Sequence, residues 1–184
     1  MYPLLKAIEA QGFKKIIVLN IDAHCDTRQS KHNHSGTPLR QWLNEARVET
    51  HLFQYGIHRF ANSLSTLNDL PSMKTFPFEQ IKKLSHNFSQ LPLQLLNQIL
   101  VLFDKDTFFL LSIDADALSS SVMTGVSAVN PEGLPLAHLR HLTSWFLKEV
   151  PVEKMTGIYE YNPIYDPNSS GSKAIASLVY DFLD

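Results

Sequence analysis

Short apolar runs alternate along this chain with segments whose apolar positions recur at helical spacing. The run Lys14-Lys15-Ile16-Ile17-Val18-Leu19-Asn20-Ile21 is β-branched and almost wholly apolar, as expected of a strand buried on both faces. Residues 51–57, 107–113 and 155–159 read as three further strands. Helices are expected over 2–11, closed by Gly12, and over 38–47, entered through Thr37 as an N-cap. Others are expected over 78–86, 92–103, 134–150 and 172–183; in the third, Leu136, Leu139, Leu142, Trp145 and Phe146 share a face. The pattern is weakest over 60–90. Strands that alternate with helices predict a three-layer α/β/α fold, a parallel sheet with helices on both faces.

Composition narrows the function more than the fold. The 184 residues fit one domain, or a large part of a bigger one. Hydrophobic residues make up 44% of the chain, enough for a real core. A net charge of −2 offers no basic excess for a phosphate backbone, so nucleic acid is not an expected partner. No apolar run approaches a membrane span, and the first residues do not read as a signal peptide. The single cysteine, Cys25, rules out an intrachain disulfide framework and fits a reducing compartment, so a soluble cytoplasmic protein is expected.

Polar clusters follow the strands directly. Asp22-Ala23-His24-Cys25-Asp26 follows the first, Asp114-Ala115-Asp116 the run 107–113, and Glu160 the run 155–159. In parallel sheets, ligands bind beyond the carboxyl ends of the strands. A spacing of two puts Asp22, His24 and Asp26 on one face if the chain stays extended, and likewise Asp114 and Asp116. Four carboxylates and one imidazole could then converge on one cavity. So many acids repel one another unless cations sit among them. The donor set suits manganese or magnesium better than zinc or copper, and four carboxylates accommodate two ions more easily than one. Taken singly, each motif is common in loops after strands; the pair, each behind a buried-strand pattern, is much harder to reach by accident.

These residues resemble the signatures of the arginase (ureohydrolase) family. Asn20-Ile21-Asp22-Ala23-His24-Cys25-Asp26 is similar to its Asp-Ala-His-x-Asp motif, and Ser112-Ile113-Asp114-Ala115-Asp116-Ala117-Leu118 to its Ser-x-Asp-x-Asp-x-Leu motif. The stretch from Gly125 to Leu134 resembles its substrate loop, Glu160-Tyr161-Asn162-Pro163 its Glu-x-Asn-Pro segment, and Ser35-Gly36-Thr37-Pro38-Leu39-Arg40 the stretch after the first signature. Agmatinases and arginases usually carry a histidine where Ser35 stands. That residue, with Gly56-Ile57-His58-Arg59-Phe60-Ala61-Asn62-Ser63, makes the chain more similar to the formimidoylglutamase branch.

The resemblance implies two manganese ions bridged by Asp22 and Asp114, with Asp26 on one ion and His24 and Asp116 on the other. It implies hydrolysis of a linear amidine, formimidoylglutamate to glutamate and formamide, a step of histidine degradation. Asp26 would pass a proton to the leaving amine. Glu160 would pair with the amidinium, and Ser35, Arg40, Arg59 and Asn130 would contact substrate. A sixth ligand, the histidine of a Gly-Gly-x-His segment, is expected just upstream of Met1-Tyr2-Pro3-Leu4 and has no counterpart in these residues. The chain therefore reads as one arginase-like domain, 1–184, lacking the family's N-terminal strands, with one ion here as the alternative to the family's two. Agmatinase or another ureohydrolase is the alternative enzyme. An inactive remnant or binding subunit is the alternative of another class, and a homo-oligomer stays open. Of the remaining residues, Cys25 is expected to be buried packing and Phe108-Phe109 core. His138 and His141 are expected on a partly exposed helix face.

Overall fold

The structure, a computed structural model, describes residues 1–68 and 70–183. Its elements in chain order are α1 (Tyr2–Glu9), β1 (Lys15–Ile21), α2 (Pro38–Glu45), β2 (Glu49–Ile57), α3 (Leu64–Asn68), β3 (Met73–Pro77), α4 (Phe78–Leu84), α5 (Leu93–Leu100), β4 (Thr107–Asp114), α6 (Leu136–Glu149), β5 (Glu153–Tyr159) and α7 (Ser170–Asp181). The strands form one sheet in the order β3-β2-β1-β4-β5, and every neighbouring pair is parallel.

The apolar runs fill both faces of this sheet, as their composition requires. Ile16 and Val18 of β1 pack with Phe108 and Leu110 of β4 against Leu5, Ile8, Leu39 and Trp42 of α1 and α2. The alternate residues Ile17, Leu19 and Ile21, with Phe109, Leu111 and Ile113, pack against α4 to α7 through Ile81, Leu95, Ile99, Leu139, Phe146 and Leu178. Phe108 and Phe109 are both core, on opposite faces. Removing such side chains from water stabilises the fold by roughly 1.5–3 kcal/mol each, which is what holds three layers together. No helix among the described residues is long and apolar enough to cross a membrane.

Three sequence expectations need correction. The hydrophobic pattern gives four strands, whereas Met73–Pro77 is a fifth. It pairs only with β2, and Phe76 alone is fully buried. An edge strand needs no second apolar face and tolerates a proline, so Met-Lys-Thr-Phe-Pro carries no strand signature. Thr37 does occupy the N-cap of α2, but its side chain caps nothing there; its hydroxyl donates to the His34 carbonyl at 2.9 Å.

His138 is the other departure. It is fully buried, while His141, one turn on, is exposed. His138 falls within the buried face of α6 beside Leu139 and Leu142, and His141 falls just outside it. Its Nδ1 lies 3.0 Å from the Phe88 carbonyl, which can only accept, so Nδ1 carries the proton. Nε2 then accepts from the Tyr55 hydroxyl at 2.6 Å, and the two rings stack. The contact anchors a turn in which His86, Asn87 and Phe88 all have positive φ.

Burial pushes the His138 pKa below its ordinary 6.5. A group with a depressed folded-state pKa contributes stability that is present above the unfolded value and is lost as pH falls through the folded one. The melting temperature of the chelator-treated chain, less that of His138→Phe, is therefore expected to fall between about pH 7 and about pH 5. A difference that does not change with pH contradicts the burial of a neutral imidazole.

Candidate metal centre

The sheet's strand order reverses at β1. From it the chain moves outward to β2 and β3, then returns to the other side as β4 and β5. The crevice beyond such a reversal is where parallel sheets bind ligands. Here β1 and β4 run in register, with Ile21 opposite Ile113. The next residues, Asp22 and Asp114, therefore leave the sheet level with each other, on strands roughly 4.8 Å apart. Both are buried.

Beyond that point neither chain stays extended, contrary to the alternation argument. Asp22 Oδ1 accepts the backbone N–H of His24 at 2.6 Å, and Asp114 Oδ1 accepts that of Asp116 at 2.9 Å. Each aspartate folds the following two residues back over itself, a turn that aspartate favours because its short side chain reaches its own backbone. Asp116 thus sits in a 3-10 turn, Ala115–Ala117, and Asp26 in the left-handed region at φ 53°. The same residues still converge, through turns rather than through pleating. Ligand atoms of Asp22, His24 and Asp116 all lie within 4.8 Å of one another. His24 Nδ1 is 3.0 Å from Asp116 Oδ2 and 3.6 Å from Asp22 Oδ1. Gly56 of β2, at φ +97°, lets this crossing occur: a Cβ there would stand 3.2 Å from the Asp22 carbonyl oxygen.

Asp26 and Asp114 join His24 and Asp116 around a cavity of about 180 Å³, with Arg28, Ser35, Ser127 and Glu160 also in its wall. Asp26, Ser35, Asp114 and Glu160 equally line a neighbouring cavity of about 400 Å³, together with Met1, Tyr2, His34 and Tyr159. Three candidate residues stand elsewhere. Arg40 donates through Nε to the Thr27 carbonyl at 2.6 Å and lines neither cavity. Arg59 is exposed beside a separate cavity walled by His58, Phe60 and Phe78. Asn130 is buried, also lines neither, and neither amide atom of its side chain has a hydrogen-bond partner among the described residues. Sequence reasoning missed Arg28, which continues the two-residue series 22, 24, 26. It passes close over Gly36, where a Cβ would lie 3.0 Å from Arg28 Cδ.

The electrostatics follow from packing acids where water is scarce. Burial first, and mutual repulsion second, push Asp26 and Asp114 well above the usual carboxylate range; burial also raises Asp22. Hydrogen bonds to Asp116 and Asp22 raise His24 to about 10, so in the metal-free chain a proton on the imidazole serves as the cluster's cation. Oxygen-rich donors with one imidazole, destabilised by their own charge, fit a hard divalent cation. Burial pushes the Cys25 thiol up to about 12, which suits packing and not a nucleophile.

The arginase family model matches residues 1–184. The chain is 28% identical over 172 residues to a formimidoylglutamase of Cupriavidus pinatubonensis, covering 92% of this chain and 53% of that protein. A formimidoylglutamase of Klebsiella pneumoniae is 29% identical over 187 residues, covering 94% and 54%. Among solved structures, the formimidoylglutamase of Bacillus subtilis superposes with a TM-score of 0.79 at 25% identity, covering 98% of this chain and 55% of that one. Trypanosoma cruzi formiminoglutamase, solved with Mn2+, gives 0.78 at 24%, covering 98% and 60%, a likeness of fold. The chain thus spans about half the length of the curated relatives it matches.

The raised acids set a test of the metal-free state. A carboxyl whose folded-state pKa exceeds its unfolded value of 3.8 contributes stability that is present below that value and is lost as pH rises toward the raised one. Asp114→Asn keeps an acceptor for Asp116 N–H and removes the titratable carboxyl. In chelator at about pH 8 it is expected to melt higher than the parent, with the gain shrinking toward about pH 4. A lower melting temperature at pH 8 contradicts the strained-acid description.

Proposed function

The chain belongs to the arginase family, and from that premise we propose that it carries the metal centre of a hydrolase cleaving a linear amidine C–N bond, with formimidoylglutamate as substrate. The observation that carries this reading is one cavity wall shared by His24, Asp26, Asp114 and Asp116 with an arginine, Arg28, and a further acid, Glu160. Manganese held by Asp22, His24, Asp26, Asp114 and Asp116 would supply Lewis acidity and lower the pKa of water toward neutrality.

The chain's own groups divide the remaining work. Glu160 offers a carboxylate to the planar amidinium, and Arg28 a guanidinium to a substrate carboxylate, both charge-assisted pairings. Asp26 lines the same cavity, where its carboxylate can take up the proton that water gives up and deliver it to the amine of glutamate as formamide separates. Ser35 lines both cavities and offers a hydroxyl to substrate there. A centre holding one ion is the second reading. It is favoured because only Asp22, His24 and Asp116 cluster as a ligand group among the described residues.

Formamide from formimidoylglutamate and urea from agmatine or arginine, measured with manganese present, discriminate the substrate. Formamide release is expected to exceed urea release, and the reverse contradicts the assignment. Release of neither product, with manganese bound, supports the binding-subunit alternative. Arg28→Ala is expected to raise KM for formimidoylglutamate about tenfold or more, the loss of one charge-assisted hydrogen-bonded pair. An unchanged KM removes Arg28 from substrate binding.

A further inference from the structure

The loop that carries Asp22, His24 and Asp26 has its backbone groups engaged from outside the site. Asn62 lies in the segment after β2, just beyond a 3-10 turn, Arg59–Ala61. Its Oδ1 accepts the Cys25 N–H at 2.8 Å. Its Nδ2 donates to the Ala23 carbonyl at 2.9 Å and to the His58 carbonyl at 2.8 Å. The His58 N–H also donates to the Ala23 carbonyl, at 3.0 Å. One carboxamide therefore bonds the residues on both sides of His24 and ties them to the end of β2. Asn62 itself lines neither cavity at the centre.

We propose that Asn62 is a positioning residue that fixes the ligand loop, holding His24 toward Asp116 and Asp22 by immobilising the peptide groups on either side of it. The inference rests on the metal-centre reading above. The physical reason is the left-handed turn at Asp26 combined with the absence of strand pairing: the loop has no ladder to hold it, so its backbone polar groups are satisfied by side chains. Gln54 supports the opposite edge. Its Nε2 donates to the Cys25 carbonyl at 2.5 Å, and its Oε1 accepts from Asn20, which also donates to Asp22 Oδ2 at 3.2 Å. With the Cys25 N–H and C=O both held, its thiol stays in the core while His24 and Asp26 face the cavity. Asn62 contributes three of these bonds from one side chain, and its amide geometry is specific: an isosteric carboxylate keeps the acceptor and loses both donors.

The test uses Asn62→Ala, the isosteric Asn62→Asp, and Leu178→Val, a control that trims the core beneath α7 far from the loop in sequence. Two quantities are read: hydrogen exchange of the Cys25 amide in the metal-free chain, and manganese affinity by calorimetric titration. In Asn62→Ala the Cys25 amide is expected to exchange on the order of tenfold faster, while amides of β1 and β4 keep their protection. Both Asn62 variants are expected to bind manganese about tenfold to 100-fold more weakly, the loss typical of groups that orient ligands. Leu178→Val should leave manganese affinity unchanged even where its melting temperature falls as far. Unchanged Cys25 protection, or an equal affinity loss in the control, overturns the proposal. If the parent takes up no manganese, the metal-centre reading fails, and the exchange measurement still decides whether Asn62 holds the loop.

Discussion

Two apolar strands lie side by side at the middle of this sheet, and at the end of each stands an aspartate, Asp22 just past β1 and Asp114 closing β4, that turns back onto its own backbone. Everything distinctive about the molecule depends on that arrangement. The register of β1 and β4 brings Asp22 and Asp114 out together, and the hydrogen bonds from His24 N–H and Asp116 N–H fold the next residues over them. The result gathers several acids where water is scarce, a state costly unless positive charge joins it. In the metal-free chain, protons do so. The fold tolerates this because the strands beneath are fixed by two apolar layers whose burial outweighs the local repulsion.

The supports around the acids are also physical necessities. A loop leaving a parallel sheet loses its ladder partners, so its peptide groups need others. Asn62, Gln54 and the backbone of His58 supply them. Gly56 allows β2 to pass the Asp22 carbonyl at a distance that a side chain would crowd. These contacts separate the two sides of the ligand loop, with a buried, inert thiol facing inward and the ligating groups facing the cavity.

Much of this was legible in the sequence because the signals were strong. The runs that become β1 and β4 are apolar on both faces, and a strand buried on both faces has no other reading. The acid pairs followed directly from their placement after those runs. What the sequence hid was hidden for reasons of geometry. Met73–Pro77 lies at an edge and needs only one buried side chain. His138 is polar by type yet buried, because its two nitrogens find Tyr55 and Phe88, partners distant in sequence. Arg59 follows a strand end as Glu160 does, but its turn leads away from the carboxylates, a difference that spacing does not encode. Arg28 was within reach of the two-residue series but stands in an irregular loop where that series carries little weight.

The central claim is that the acids at the ends of β1 and β4 form one cation site. Crystals of the chain soaked in manganese, with diffraction recorded at the manganese absorption edge, test it most directly. The account predicts an anomalous peak within coordination distance of Asp22, His24 and Asp116, with any second peak on the side of Asp26 and Asp114. A fully soaked crystal that shows manganese only at other surface acids, and none at this cluster, would contradict it.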